Sequence, residues 1–223
     1  MRPLETGDIE MDKEEKMREV DPMTTPRAKS WQLYKDAPMP MVTIFKTLDV
    51  SPLVRLKESG YRFNMLMCFC TAQAAHKTPQ FRLLPAGEKM LEYDEIGVNT
   101  IVADISGGLS TCDLPFCDAP DRFSAIYDEL TEKVRLDCTD FELPDRMIIG
   151  TSNLAAYDID GAVNMYSGIF NNPFLIWGKY RRQEDRTLLP VSFQFHHVQM
   201  DGLEACEFLE RLQGACTNLP HDF

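Results

Sequence analysis

The stretch "VSFQFHHVQMDGLEACEFLERLQ" (191–213) decides how the rest of the chain is read. Its first part alternates: Val191, Phe193, Phe195 and His197 fall on one side of an extended strand, and Ser192, Gln194 and His196 on the other. From Gly202 onward apolar residues recur at helical spacing, so a strand passes through two adjacent histidines and an aspartate into a helix. Parity puts His197 with the bulky apolar residues, where an imidazole is partly desolvated and held neutral, with one nitrogen free to accept a proton. A general base acting on a hydroxyl or thiol requires that state. The junction has an equally physical structural reading. Two histidines at a strand end serve as core and rim residues, and Asp201 with Glu204 fits a capping box. Spacing alone leaves both readings open.

Working outward, "MVTIFKTLDV" (41–50) reads as a strand, and "SPLVRLKESG" (51–60) as a short helix with Ser51 as N-cap, Pro52 in the first turn and Gly60 past the end. Residues 64–76, "NMLMCFCTAQAAH", are apolar nearly all round in their first half, the pattern of a buried helix. "KMLEYDEI", "NTIVADI" and residues 109–115 read as strands, and Phe123, Ile126, Tyr127, Leu130 and Val134 form one helical stripe over 121–136. Four more strands are expected at 147–151, 163–168, 174–180 and 187–197, then a helix over 201–215. No repeat or linker divides the interior. The pattern predicts a single two-layer α/β domain over 26–223, a mixed β-sheet with helices packed on it. Residues 1–25 hold eight acids, four bases and no aromatic, and read as an acidic arm, flexible or loosely docked.

The chain has 223 residues, 44 % of them apolar, with 35 Asp and Glu against 23 Lys and Arg, a formal charge of −12. That surface repels nucleic acid and anionic membrane, so neither is an expected partner. A phosphate-bearing ligand would need a local positive site, for which Lys179, Arg181 and Arg182 form the candidate cluster. Seven cysteines lack any C-x-x-C pair or zinc-ligand spacing and read as reduced core residues. Adjacent histidines on opposite faces of a strand cannot easily share an ion, so no metal is expected. No G-x-S-x-G elbow supports a serine hydrolase. With no signal peptide and no apolar run of about 20 residues, a soluble cytoplasmic protein is expected.

H-H-x-x-x-D-G at a strand-to-helix junction (196–202) resembles the chloramphenicol acetyltransferase family, within the broader group of coenzyme-A-dependent acyltransferases. "PRAKSWQLY" (26–34), "FR" (81–82), "GKY" (178–180) and "LLPVSFQFHHVQMDG" (188–202) follow the family's order, so the resemblance covers about residues 26–215. It implies an O-acetyltransferase that moves an acetyl group from acetyl-CoA, a co-substrate, to a hydroxyl of a small acceptor in a ternary complex. His197 matches the general base, and Asp201 a structural aspartate paired with Arg27; His196 is read as support. Ser152 falls where the family places the serine that stabilises the oxyanion, with Thr151 as the near alternative, and Tyr34 matches a pocket tyrosine. Lys179 is the candidate contact to CoA.

Departures fall on the acceptor side. Ile176 stands where well-known members carry a threonine, Gly150 where an asparagine precedes the site serine, and Leu109 where an aromatic is expected. Acetyl transfer is thus better supported than chloramphenicol as acceptor, and antibiotic resistance is a candidate role only. The resemblance also implies a homotrimer with active sites between subunits. Two other readings compete: a non-catalytic ligand-binding or assembly module on the same fold, and the core of a dihydrolipoyl acyltransferase. The last is disfavoured because only a 25-residue arm precedes the fold.

Overall fold

The computed structural model describes residues 16–166 and 168–219. Helix and strand alternate along the chain as β1 (Met17–Val20), α1 (Ala28–Tyr34), β2 (Met41–Asp49), α2 (Ser51–Glu58), α3 (Phe63–His76), β3 (Leu83–Ala86), β4 (Lys89–Tyr93), β5 (Ile96–Ala103) and β6 (Leu109–Pro115). The second half holds α4 (Pro120–Asp137), β7 (Met147–Asn153), β8 (Phe174–Trp177), β9 (Arg181–Gln183), β10 (Arg186–His196) and α5 (Gly202–Thr217). The large sheet is ordered β2-β10-β8-β7-β5-β6, with β9 folded back on β10, and a small sheet is ordered β1-β4-β3. Only β5–β7 and β7–β8 are parallel in the large sheet, which makes it mixed.

The period-2 pattern of β10 decides the layering. Val191, Phe193 and Phe195 are fully buried on the helix side with Leu175, Trp177, Ile149, Val98 and Leu114 of the neighbouring strands. Eleven of the fourteen residues of α3 are buried, which explains why its sequence shows no polar face: it packs against β5, α2, α4 and α5. Five cysteines are buried and free, as their apolar surroundings suggest, and burial pushes the Cys68 thiol up to about 12. No described helix is long and apolar enough to cross a membrane.

The opposite face of the sheet carries Phe45, Ile101, Leu109, Ser152, Ile176, Ser192 and Gln194. The strand expected at 163–168 is absent here. Its alternating Val163 and Met165 are exposed, and the segment crosses the sheet face with its backbone held by side chains: Ala162 N donates to Ser192 Oγ (2.8 Å), and Gln194 Nε2 to Asn164 O (3.0 Å). Those side chains replace a ladder partner. Gly161 is required where this segment passes Phe45, because a Cβ there would lie 2.4 Å from the ring.

Two boundaries also move. Helix α2 takes Val50 rather than Ser51 as its N-cap. The expected arm of residues 1–25 ends earlier, because Met17–Val20 pair with β4, Arg18 bridges Glu92 and Asp94, and Lys16 bridges Glu95. Ladder hydrogen bonds and ion pairs order this strand without a large buried side chain. Residues 1–15 lie outside the described residues.

Gly150 shows how tightly the open face is built. A Cβ on it would stand 2.3 Å from Phe174 Cδ2, so the ring lies over the glycine. Gly150→Ala is expected to cost about 1–3 kcal/mol in urea unfolding through overpacking. Combining it with Phe174→Leu should recover part of that loss; a strictly additive double variant would contradict the contact.

Candidate active site

Strand β10 stops at His196, its last residue paired with Met41. His196 Nδ1 accepts a hydrogen bond from Val198 N (3.0 Å), Gln199 N donates to His196 O (2.9 Å), and His197 N donates to Pro40 O (2.8 Å). These bonds turn the chain out of the sheet, so His197 follows the strand instead of continuing it. The strand parity that grouped His197 with Phe195 therefore does not apply. His197 reaches partial shielding another way: its ring stacks on Tyr34, with centroids 4.1 Å apart and planes 20° apart, and its side chain keeps 30 % exposure. Its Nδ1 is buried, 3.3 Å from Asp201 Oδ1 with no aligned hydrogen bond, so the exposed part of the ring is the remainder.

His196 is the more deeply buried of the pair, and desolvation together with the neighbouring His197 pushes its pKa down to about 4. As a neutral acceptor it can hold Val198 N–H throughout the neutral range. Unfolded, the ring titrates near pH 6.5, so between about 6.5 and 4 the unfolded chain binds the extra proton, and stability falls as pH is lowered through that window. The loss is expected to reach roughly 3 kcal/mol. The unfolding free energy of the unaltered chain minus that of His196→Asn should shrink by that amount between pH 7 and pH 4, and a constant difference would refute it. Asp201 acts elsewhere on the pH axis: the Arg27 guanidinium holds its carboxyl below the usual value of 3.8, so its contribution is lost only as pH drops beneath that.

Arg27, expected to pair with Asp201, does so bidentately: Nη2 to Oδ1 at 2.9 Å and Nη1 to Oδ2 at 3.2 Å. The buried guanidinium also donates to His197 O (3.0 Å) and Val198 O (2.7 Å). It thus grips the backbone on either side of the histidine's α-carbon as well as the start of α5. Asp201 forms the expected N-cap, and its N–H donates to Glu204 Oε2 (2.7 Å). Val198 packs with Trp31 and Met90, with Tyr34 and Leu83 against them, so α1 and the small sheet brace the turn.

The remaining sequence candidates lie elsewhere in the chain. Ser152 pairs with Ile176, which pairs with Ser192, five residues and roughly 16 Å up the strand from His197 and two strands, about 10 Å, across. Leu109 opens β6 on the same open face and is 74 % exposed. Thr151 points the other way, its hydroxyl donating to Asn99 O (2.7 Å). Lys179 is exposed beyond β8, while its expected companions Arg181 and Arg182 are paired with Asp158, Asp160 and Glu58. A single chain therefore joins His197, His196, Asp201, Arg27 and Tyr34, and separates them from Ser152, Ile176, Leu109 and Lys179.

Sequence reading missed Glu204 and Gln80 as members of the first group; Glu204 was legible only as a capping partner. Two clefts, of about 380 and 520 Å³, open beside α5 and around His76 and Phe116, and neither includes His197. Among the described residues no group of three or more His, Cys, Asp or Glu is placed to hold a metal.

Comparison with known proteins bears on this geometry. The family model described as chloramphenicol acetyltransferase matches residues 17–213. Chloramphenicol acetyltransferase 2 of Escherichia coli is 27 % identical over 207 residues, spanning 90 % of this chain and 97 % of the relative. Chloramphenicol acetyltransferase 3 of Escherichia coli is 25 % identical, over 77 % and 83 %. Among solved structures a chloramphenicol acetyltransferase superposes with a TM-score of 0.75 at 18 % identity, covering 89 % of this chain and 99 % of the other. A probable dihydrolipoamide acetyltransferase from Listeria monocytogenes superposes at 0.67 and 18 %, over 92 % and 96 %; these two likenesses speak to the fold. With the family model spanning nearly the whole described chain, from β1 into α5, this protein belongs to the chloramphenicol acetyltransferase family and is an acyltransferase.

Proposed function

We propose that the chain is an acetyl-CoA-dependent O-acetyltransferase that acts on a small hydroxylated acceptor, with His197 as general base. The observation that carries the reading is the clamped turn: Arg27 fixes both carbonyls flanking the imidazole, which stacks on Tyr34 and stays partly open to solvent. With Nδ1 against the Asp201 carboxylate, the proton of the neutral ring sits best on Nδ1, leaving Nε2 to accept. The acceptor hydroxyl gives its proton to Nε2 as its oxygen attacks the thioester carbonyl. The tetrahedral intermediate collapses, the carbon–sulfur bond breaks, and the imidazolium returns the proton to the leaving thiolate. Free CoA and the acetyl ester result.

The oxyanion needs a donor within about 3 Å, and Ser152 is the candidate. In one chain it stands far from His197, so the reaction proposed here needs a second copy to bring its open sheet face to the first copy's histidine. Exposed Phe45, Ile101, Leu109, Val163 and Met165 on and around that face suit burial against such a copy, and a homotrimer closes the arrangement. Lys179 on the same distant side is the candidate cation for CoA. The free buried cysteines fit a reducing compartment such as the cytoplasm.

A panel of hydroxylated acceptors, chloramphenicol included, with detection of the thiol released from acetyl-CoA tests the reading. Release that requires one acceptor and appears in a trimeric species supports it. No release with any acceptor, and no calorimetric binding of CoA or acetyl-CoA, favours a non-catalytic module.

A further inference from the structure

A guanidinium carries five N–H donors in a rigid fork. In Arg27 all five are used: Nε donates to Val198 O, Nη2 to His197 O and Asp201 Oδ1, and Nη1 to Asp201 Oδ2 and to Glu204 Oε2 at 3.1 Å. Glu204 is itself fixed at both oxygens, Oε2 by Asp201 N at 2.7 Å and Oε1 by Gln80 Nε2 at 2.8 Å. Capping the helix requires only the bond to Asp201 N. The contacts to Arg27 and Gln80 go beyond that, and they place a second carboxylate on one guanidinium, a net negative charge that the N-terminus of α5 helps to stabilise.

We propose that Glu204, held by Gln80, is a positioning residue for His197. By closing the fifth donor it stops the guanidinium from rotating about its Asp201 contacts, and so fixes the two carbonyls that set the direction of the imidazole. Without Glu204 one buried N–H loses its acceptor, and the fork can trade a carbonyl for a carboxylate. The inference rests on reading His197 as the base. Small errors in placing a catalytic group are expensive, so the effect falls on turnover rather than on binding.

The test compares Glu204→Ala, Glu204→Gln and Gln80→Leu in the full chain. Glu204→Ala is expected to lower kcat about tenfold with KM for acetyl-CoA and acceptor within about twofold; Glu204→Gln, which keeps an accepting oxygen, should stay within about twofold of the unaltered enzyme, with Gln80→Leu between them. In parallel, diethyl pyrocarbonate, which acylates the unprotonated imidazole nitrogen, reports on His197 through peptide mapping and needs no turnover. Its rate at His197 should change about threefold or more in Glu204→Ala and return in Glu204→Gln. A Glu204→Ala protein with a lower melting temperature but unchanged kcat and His197 reactivity would reduce Glu204 to a helix cap and overturn the proposal. Equal impairment in Glu204→Gln would overturn it too, by showing that charge and not geometry matters. Should Glu204→Ala fail to fold, the other two variants decide. If the unaltered chain turns over no acceptor, the catalytic reading fails, while the His197 reactivity series still decides the positioning.

Discussion

His197→Ala is expected to lower kcat by about three orders of magnitude while leaving the fold and the binding of acetyl-CoA intact. General-base assistance accounts for a factor of that size, roughly 4 kcal/mol of transition-state free energy. The fold should survive because the ring makes no aligned hydrogen bond and is partly exposed; its one close partner is Tyr34, whose stacking is worth about 1 kcal/mol. Steady-state kinetics with thiol detection, together with a thermal melt, reads both halves of the expectation. Turnover within about tenfold of the unaltered enzyme would remove His197 from the chemistry. Such a result would shift attention to His196, although its burial and its bond to Val198 N leave that ring poorly placed to meet a substrate.

The comparison between the two histidines also shows what the sequence could and could not convey. Alternation through Val191, Phe193 and Phe195 is a strong signal, because each residue buries a large side chain on one face, and the layer it implies is the layer found. Extending that parity to His197 fails for a local reason. The turn is begun by a side-chain to backbone bond, His196 Nδ1 to Val198 N, and such bonds leave no periodic trace. The same blindness produced the strand expected at 163–168, whose alternation is real but whose backbone partners are the side chains of Ser192 and Gln194. It also hid β1, since composition arguments weigh burial and cannot see ladder pairing. Within the site, Asp201 and Glu204 announce a helix start by their spacing. Arg27, 174 residues away from Asp201 in the chain, is beyond any local pattern, and only the family resemblance connected the two.

Arg27→Ala is accordingly the variant with the largest expected structural cost. The side chain is 8 % exposed and donates to two carboxylates and two main-chain carbonyls, so truncation leaves acceptors in and around the turn without a partner. Breaking a fully buried charge pair costs about 3–5 kcal/mol. Here Asp201 is half exposed and Glu204 a quarter exposed, so water takes up part of what they lose, and about 3 kcal/mol is the reasonable figure. For a domain of this size that corresponds to a melting temperature lower by roughly 6–12 °C. Activity should fall with it, because the carbonyls of His197 and Val198 lose the group that fixes them. Arg27→Lys separates charge from geometry: an ammonium keeps the charge but cannot serve four acceptors in a planar fork, so it should restore part of the melting temperature and little of kcat. A melting temperature unmoved in Arg27→Ala would deny the clamp its structural weight. Full activity in Arg27→Lys would show that the turn holds the imidazole in place without the fork, and that the family's arginine acts here through charge alone.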